Sequence, residues 1–232
     1  LISVAQIEKI EIMKGASSTL YGTGAATGVI NITLKKSAVK EISGIAYSSL
    51  GTQNSSETSK TSAQDFNQGF SVNGTVNKIS YMTSLNSTET KGMSEAAGEN
   101  FEEDTFSRVN VLQKIGFKAN DKISFEFFGN YDRIKNTFDN AFDGIISNSD
   151  DLNNNSLSEQ FRIGFLPKYK YRKGEFAINA GASTIERTVN MTNSWTNSID
   201  TFDYSGRTAS IDAFNKYNFS KQVYLVLGIQ YQ

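Results

Sequence analysis

The sequence predicts an all-β protein: an antiparallel transmembrane β-barrel, of which this chain supplies about nine strands, preceded by the end of another domain. Three observations predict it. From residue 38 onward, apolar and polar residues alternate with a period of two in one segment after another. These segments run to about ten to fifteen residues, where strands of ordinary sheets have about five or six. The connections between them alternate between short and long, as the two ends of an outer-membrane barrel do.

Composition narrows the classes of function. The chain has 232 residues, with 23 basic and 24 acidic side chains and a net charge of −1. So even a balance provides no electrostatic footprint for nucleic acid. Histidine and cysteine are both absent, which excludes a Ser-His-Asp triad, a cysteine nucleophile, a disulfide framework and the usual zinc sites. The chain is predicted not to be an enzyme. No apolar run approaches the ~18–20 residues of a membrane helix. Alternating barrel strands, by contrast, average to a soluble-looking hydropathy. The chain starts at Leu1 without a methionine or signal-peptide pattern and is read as an internal piece of a longer protein.

Residues 1–37 differ from the rest. Ile7, Ile10 and Ile12 begin a strand that ends at Gly15. Gly22, Gly24 and Gly28 then allow tight turns, and residues 29–33 form a second strand with at least one buried face. Tyr21 to Gly28 superficially resembles a phosphate-binding glycine loop. A strand follows, however, where such a loop requires a helix N-terminus.

Residues 38–232 read as strands near 40–52, 66–77, 79–89, 105–118, 122–135, 159–172, 175–191, 203–218 and 222–232. In the fifth, Ile123, Phe125, Phe127 and Tyr131 oppose Ser124, Glu126, Asn130 and Asp132. In the sixth, Phe161, Ile163, Phe165, Tyr169 and Tyr171 oppose Arg162, Lys168, Lys170 and Arg172. Successive strand residues point to opposite faces, so each segment has one apolar and one wet side. Short turns are predicted near 77–78, 119–122, 173–174 and 220–221, and long polar connections near 53–65, 90–104, 136–157 and 192–203. Tyr131, Tyr169, Tyr171, Tyr217 and Phe219 fit interfacial girdles. Arg162, Lys168, Lys170, Arg172, Arg187 and Arg207 are assigned to the lumen.

The long connections hold the candidate sites. Residues 137–156 contain Asp139, Asp143, Asp150 and Asp151 with no basic residue. Such an oxygen-rich loop fits a bound calcium ion, and equally a solvated acidic loop. Phe138, Phe142, Trp195 and Phe202 fit apolar contact with a large ligand, or packing of the loops on one another.

The stretch from Ile7 to Lys36 is the most specific in the chain. Ile7, Glu8, Ile10, Glu11, Gly15, Ser17, Tyr21, Gly22, Ala25, Gly28, Val29, Ile30, Asn31, Ile32 and Lys35 follow in fixed order. In that order they closely resemble the end of the plug domain of TonB-dependent outer-membrane receptors of the siderophore and vitamin B12 type. Lys14 stands where that family usually has arginine, and Ala16 where it usually has proline. Lysine keeps the charge and loses the bidentate fork.

The resemblance implies that residues 1–37 end a plug and that residues 38–232 begin a barrel of about 22 strands. It implies an outer-membrane location, contact with membrane lipid, and active import of a scarce metal chelate, cobalamin-like or siderophore-like. Energy would come from TonB through an N-terminal segment that this sequence does not include. Glu8, Glu11 and Lys14 are then candidates for plug–barrel ion pairs. Residues 138–143 resemble the calcium-binding loop region of cobalamin receptors. The alternative reading is a passive porin-like or adhesin-like barrel, which has no reason to carry the plug motif.

Overall fold

The computed structural model describes residues 7–15, 27–35, 40–52, 63–92, 103–139, 153–193, 195–196 and 198–232. It contains eleven strands among those residues and no helix. The strands β1 (Ile7–Lys14) and β2 (Gly28–Leu34) form a separate antiparallel hairpin. The other nine form one antiparallel sheet: β3 (Ser43–Gly51), β4 (Asp65–Val76), β5 (Ile79–Thr90), β6 (Phe106–Lys118), β7 (Ile123–Thr137), β8 (Asn155–Tyr171), β9 (Gly174–Asn193), β10 (Ser198–Asn218) and β11 (Tyr224–Tyr231). Every neighbour in the sheet is also the neighbour in sequence.

The short turns each have a local cause. Asn77, between β4 and β5, sits at φ 54°, a left-handed conformation that asparagine tolerates. Between β6 and β7 the Asn120 side-chain oxygen accepts from the amides of Lys122 and Ile123, both at 2.9 Å. Ser220 Oγ accepts from Gln222 and Val223 at 3.1 and 3.0 Å before β11. Asn and Ser stabilise turns in this way by imitating a backbone acceptor.

Cross-strand register sorts the side chains into two faces. One carries Leu85, Val111, Tyr131, Phe161 and Ile211; the other carries Asn86, Asn110, Asp132, Arg162 and Asp212. The polar face is the inside of the curve: Asn110 is 1% exposed, whereas its neighbour Val109 is 44% exposed. Stacked rings reinforce the apolar face, with Phe127 and Phe165 centroids 4.4 Å apart.

No charged residue interrupts the apolar face from the short-turn end up to the row of Tyr131, Phe161 and Thr184, where Arg207 on β10 is the first charge. Just above that row come Arg133, Glu159 and Glu186, and then Glu89. From Ile123 to Tyr131 the strand climbs about 26 Å, or about 20 Å along the membrane normal at a tilt of ~40°. That height is close to the ~25 Å apolar band of an outer-membrane barrel. Girdle aromatics mark both margins. Tyr169 lies 6.2 Å from Tyr171, and Tyr217 lies 4.9 Å from Phe219, at the short-turn end. At the other margin Tyr131 donates to Glu159 at 2.5 Å.

The structure corrects four expectations. The β9–β10 ladder continues to the pair Asn193 and Ser198, so a short hairpin loop replaces the long connection expected at 192–203. Arg207 pairs in register with Thr184 on the apolar side of the sheet, at the upper margin of the belt, and not on the lumen side. Arg172 and Lys173 form the turn, and Gly174 already belongs to β9. The second hairpin strand was expected to bury a face. Its Ile30 and Ile32 are instead 66% and 38% exposed beside Ile12 and Ile10.

Candidate functional site

The polar face lines the inside of the curve, and its charges are organised in rows. Arg108 donates to Asp132 through Nε at 2.8 Å and Nη2 at 2.7 Å, and the Asp132 side chain is only 2% exposed. Directly below, Arg162 donates to the Asn130 side-chain oxygen at 2.8 Å, and Asn130 Nδ2 donates to the Val111 carbonyl at 3.0 Å. Towards the short turns, Lys114 pairs with Glu126 at 3.1 Å and Lys168 with Glu175 at 3.1 Å. A carboxylate held by two parallel N–H bonds is fixed in direction as well as charge.

Glycines shape this wall where rings cross it. Tyr47 on β3 reaches over Gly69 on β4 and donates to Asn86 on β5 at 3.2 Å. A Cβ on Gly69 would stand 2.2 Å from the tyrosine ring, and one on Gly164 would stand 2.1 Å from the Phe128 ring. Both glycines therefore make room for an aromatic from the neighbouring strand.

Near the long-connection end the polar face becomes apolar. A groove of about 550 Å³ opens among Phe138, Ile185, Arg187, Val189, Met191 and Tyr204. Phe202 lies beside it, paired in register with Val189. The size falls within the ~300–1,000 Å³ of small-molecule sites. At the rim, Asn154 is fully buried and accepts from the Thr192 amide at 2.6 Å. Asn190 there bridges Asn155 and Thr201 at 3.0 and 2.8 Å.

The residues predicted from sequence are distributed as follows. Phe138 and Phe202 converge on this groove. Trp195 is 96% exposed at the tip between β9 and β10, away from it. Phe142, Asp143, Asp150 and Asp151 lie outside the described residues. Asp139 is 4% exposed, and no group of three potential metal-binding side chains occurs among the described residues. On the hairpin, Glu11 accepts from Lys9 at 2.5 Å and from Asn31 at 3.1 Å. Those two bonds hold the Glu11 carboxyl below its ordinary range, mainly through Lys9. Among the described residues, no ion pair joins Glu8, Glu11 or Lys14 to the sheet. Sequence reasoning missed Ile185, Val189, Met191 and Tyr204 as a cluster. Each is an ordinary strand residue until register places it beside Phe138.

No family model matches the sequence, and neither does any curated protein. Solved structures do match. The ferric enterobactin receptor PfeA of Pseudomonas aeruginosa aligns with a TM-score of 0.68 and 16% identity, over 99% of this chain and 36% of its own. The siderophore receptor PirA of Acinetobacter baumannii aligns with a TM-score of 0.67 and 18% identity, over 97% of this chain and 34% of its own. The ferric-catecholate import receptor Fiu of E. coli K12 aligns with a TM-score of 0.70 and 13% identity, over 97% of this chain and 39% of its own. The chain thus spans about a third of the length of each. The fold of this chain is that of the TonB-dependent siderophore receptor barrels.

Proposed function

We propose that the chain is part of an outer-membrane receptor that binds a scarce metal chelate, siderophore-like or cobalamin-like, and imports it with energy delivered by TonB. Residues 1–37 are the end of its plug, and residues 38–232 are the first part of its barrel. The observation that carries this reading is the two-faced wall. A belt without charge faces outward, and an arginine-bearing polar face with an apolar groove at its rim faces inward. A passive pore needs the same belt but has no use for the plug-like run from Ile7 to Lys36. In the same reading Glu8, Glu11 and Lys14 face the barrel once the plug is complete. Asp139, Asp143, Asp150 and Asp151 form an outer loop that takes calcium.

Fractionation tests the reading directly. An antibody against this segment should detect, in outer-membrane fractions, a band well above the chain's own 25.6 kDa. Cells carrying the intact gene should accumulate labelled chelate, and uptake should stop when TonB is deleted. A soluble product of about the chain's own mass, or uptake indifferent to TonB, contradicts the proposal.

A further inference from the structure

We infer that the short-turn end of the wall is a docking surface for an anionic phospholipid, whose headgroup is held from the lipid side by Arg172, Lys173 and Lys221. The inference rests on the barrel wall and not on what the barrel imports. Charge is strongly polarised along the strands. Residues 75–80, 117–124, 169–176 and 215–224, which hold the four short turns, carry eight basic side chains and two acidic ones. The surplus there is +6, in a chain whose net charge is −1. Both acids are already engaged, Asp121 by Lys118 at 2.8 Å and Glu175 by Lys168 at 3.1 Å. The other seven cations form no ion pair among the described residues.

Geometry puts part of this surplus on the lipid side. Tyr217 is in register with Gly174 and Leu225 on the apolar face. The exposed Lys173 ammonium stands over its ring, 5.9 Å from the centroid. Tyr171 crosses Gly174, where a Cβ would stand 2.5 Å from its hydroxyl, and donates to the Asn215 side-chain oxygen at 2.7 Å. Asn218 donates to the Lys173 carbonyl through its amide at 2.7 Å and its Nδ2 at 3.1 Å. The β8–β9 turn is thus tied to the end of β10, with Lys221 three residues further on. Towards the belt, Tyr169 and Phe176 are 46% and 38% exposed. Cations and tyrosines at the edge of an apolar belt meet the headgroup level of a leaflet. A free phosphate or an acidic peptide would match the charge but leave the adjoining rings uncovered, whereas a lipid covers both. The Arg172 fork suits two oxygens of one phosphate. A zwitterionic headgroup brings an ammonium that the surplus repels, so the surface selects a headgroup of net negative charge. Short turns of an outer-membrane barrel face the periplasm, which makes this the periplasmic leaflet.

The test uses the full-length protein, purified and delipidated in detergent, with bound lipid counted by native mass spectrometry. The probes are phosphatidylglycerol, phosphatidylethanolamine and the soluble headgroup glycerophosphoglycerol. Phosphatidylglycerol is expected to bind about tenfold or more tighter than phosphatidylethanolamine, and the soluble headgroup far more weakly than either. Lys173→Gln should weaken phosphatidylglycerol about fivefold, and Arg172→Gln, Lys173→Gln and Lys221→Gln together about a hundredfold. The preference should shrink as salt rises. Arg133→Gln, at the opposite margin of the belt, should change nothing, and circular dichroism checks that each variant keeps its strands. Lys170 and Lys216 lie in register with Glu175 on the polar face, and their joint change to Gln should have little effect. Equal affinity for the two lipids, or binding indifferent to the triple substitution, overturns the inference. A larger loss from the Lys170 and Lys216 pair places the anion inside the barrel and overturns the lipid-side assignment. Glycerophosphoglycerol binding as tightly as the lipid reduces the surface to a phosphate site and overturns the lipid. None of these outcomes bears on the importer reading, which stands or falls on uptake.

Discussion

Arg108 grips Asp132 with two parallel hydrogen bonds, of 2.8 and 2.7 Å, across the β6–β7 pair. The carboxylate is nearly inaccessible while the guanidinium is partly open, at 2% and 21% exposure. Removing the arginine alone strands a buried negative charge. Arg108→Met should therefore destabilise the full-length protein by about 3 kcal/mol, whereas Arg108→Met with Asp132→Leu should recover most of that loss. Denaturant unfolding in detergent measures both. Equal losses in the single and double variants would show that the pair contributes through shape and not charge.

The belt makes a prediction about faces. Ala182 and Ser183 are adjacent on β9. Ala182 is in register with Ile163 on the apolar side, and Ser183 with Arg162 on the polar side. Ala182→Arg should cost about 1–2 kcal/mol, part of the ~2–4 kcal/mol midplane penalty, because its row lies between the bilayer midplane and the margin of the belt. Ser183→Arg should cost much less, because its side chain lies on the polar face beside Arg162. Comparing the folded fractions after reconstitution into lipid vesicles decides the matter.

Polar residues do sit within the belt, Gln113 and Thr83 among them. Gln113 is on the apolar face, and both halves of its amide are engaged. It accepts from Thr83 at 2.6 Å and donates to the Lys114 carbonyl at 3.2 Å. Gln113→Leu should be close to neutral, because the apolar side chain gained towards lipid offsets the Thr83 hydroxyl that loses its acceptor. Thr83→Val should cost about 1 kcal/mol by leaving the amide oxygen unpaired in an apolar setting. Thermal unfolding of the two variants side by side tests this asymmetry.

The hairpin carries the clearest pH signature. Glu11 is pulled below the ordinary carboxylate range, first by the hydrogen bond and then by the charge of Lys9, against an opposing effect of desolvation and with a lesser contribution from the Asn31 amide. A depressed folded-state pKa contributes stability above the unfolded pKa and loses it as pH falls through the folded one. The hairpin should therefore loosen only in acid, and by little, because the pair is in open solvent and screened by salt. An NMR titration of Glu11 should give a midpoint below that of a model glutamate. Lys9→Met should raise it.

Much of the sheet was legible because lipid and water impose opposite demands on alternate residues. The signal from Ile123 to Tyr131 is strong for that reason, and β7 begins within a residue of its predicted start. Above the belt that contrast disappears. Thr188, Asn190 and Thr192 are polar on the face where Ile178 and Ala180 are apolar lower down, yet the hydrogen-bonded ladder continues unbroken. From residue 192 onward the sequence shows a loop because hydropathy no longer alternates, although backbone pairing does not depend on it. Arg207 was misassigned for a related reason. Gly206 and Ala209 give too weak a contrast to fix parity, which only the register with Thr184 settles. The groove around Arg187 was illegible because Phe138 reaches it from just beyond the end of β7, which is separated from β9 by β8, and that placement is a property of the whole sheet.

All the strand pairings in the nine-stranded sheet are between consecutive segments. Each pairing can form as soon as its own hairpin is available, without waiting for distant chain, so the loop-closure cost of every step is small. Only the outer edges, β3 and β11, need partners from elsewhere in a closed barrel. The wall can therefore grow one strand at a time in the order of synthesis, and the slow, cooperative event is the meeting of first and last strands. A substitution within the wall, such as Gly164→Val against the Phe128 ring, should delay a single local step. A charge or proline on the exposed edge of β3 should leave the growing sheet intact and arrest it at the seam.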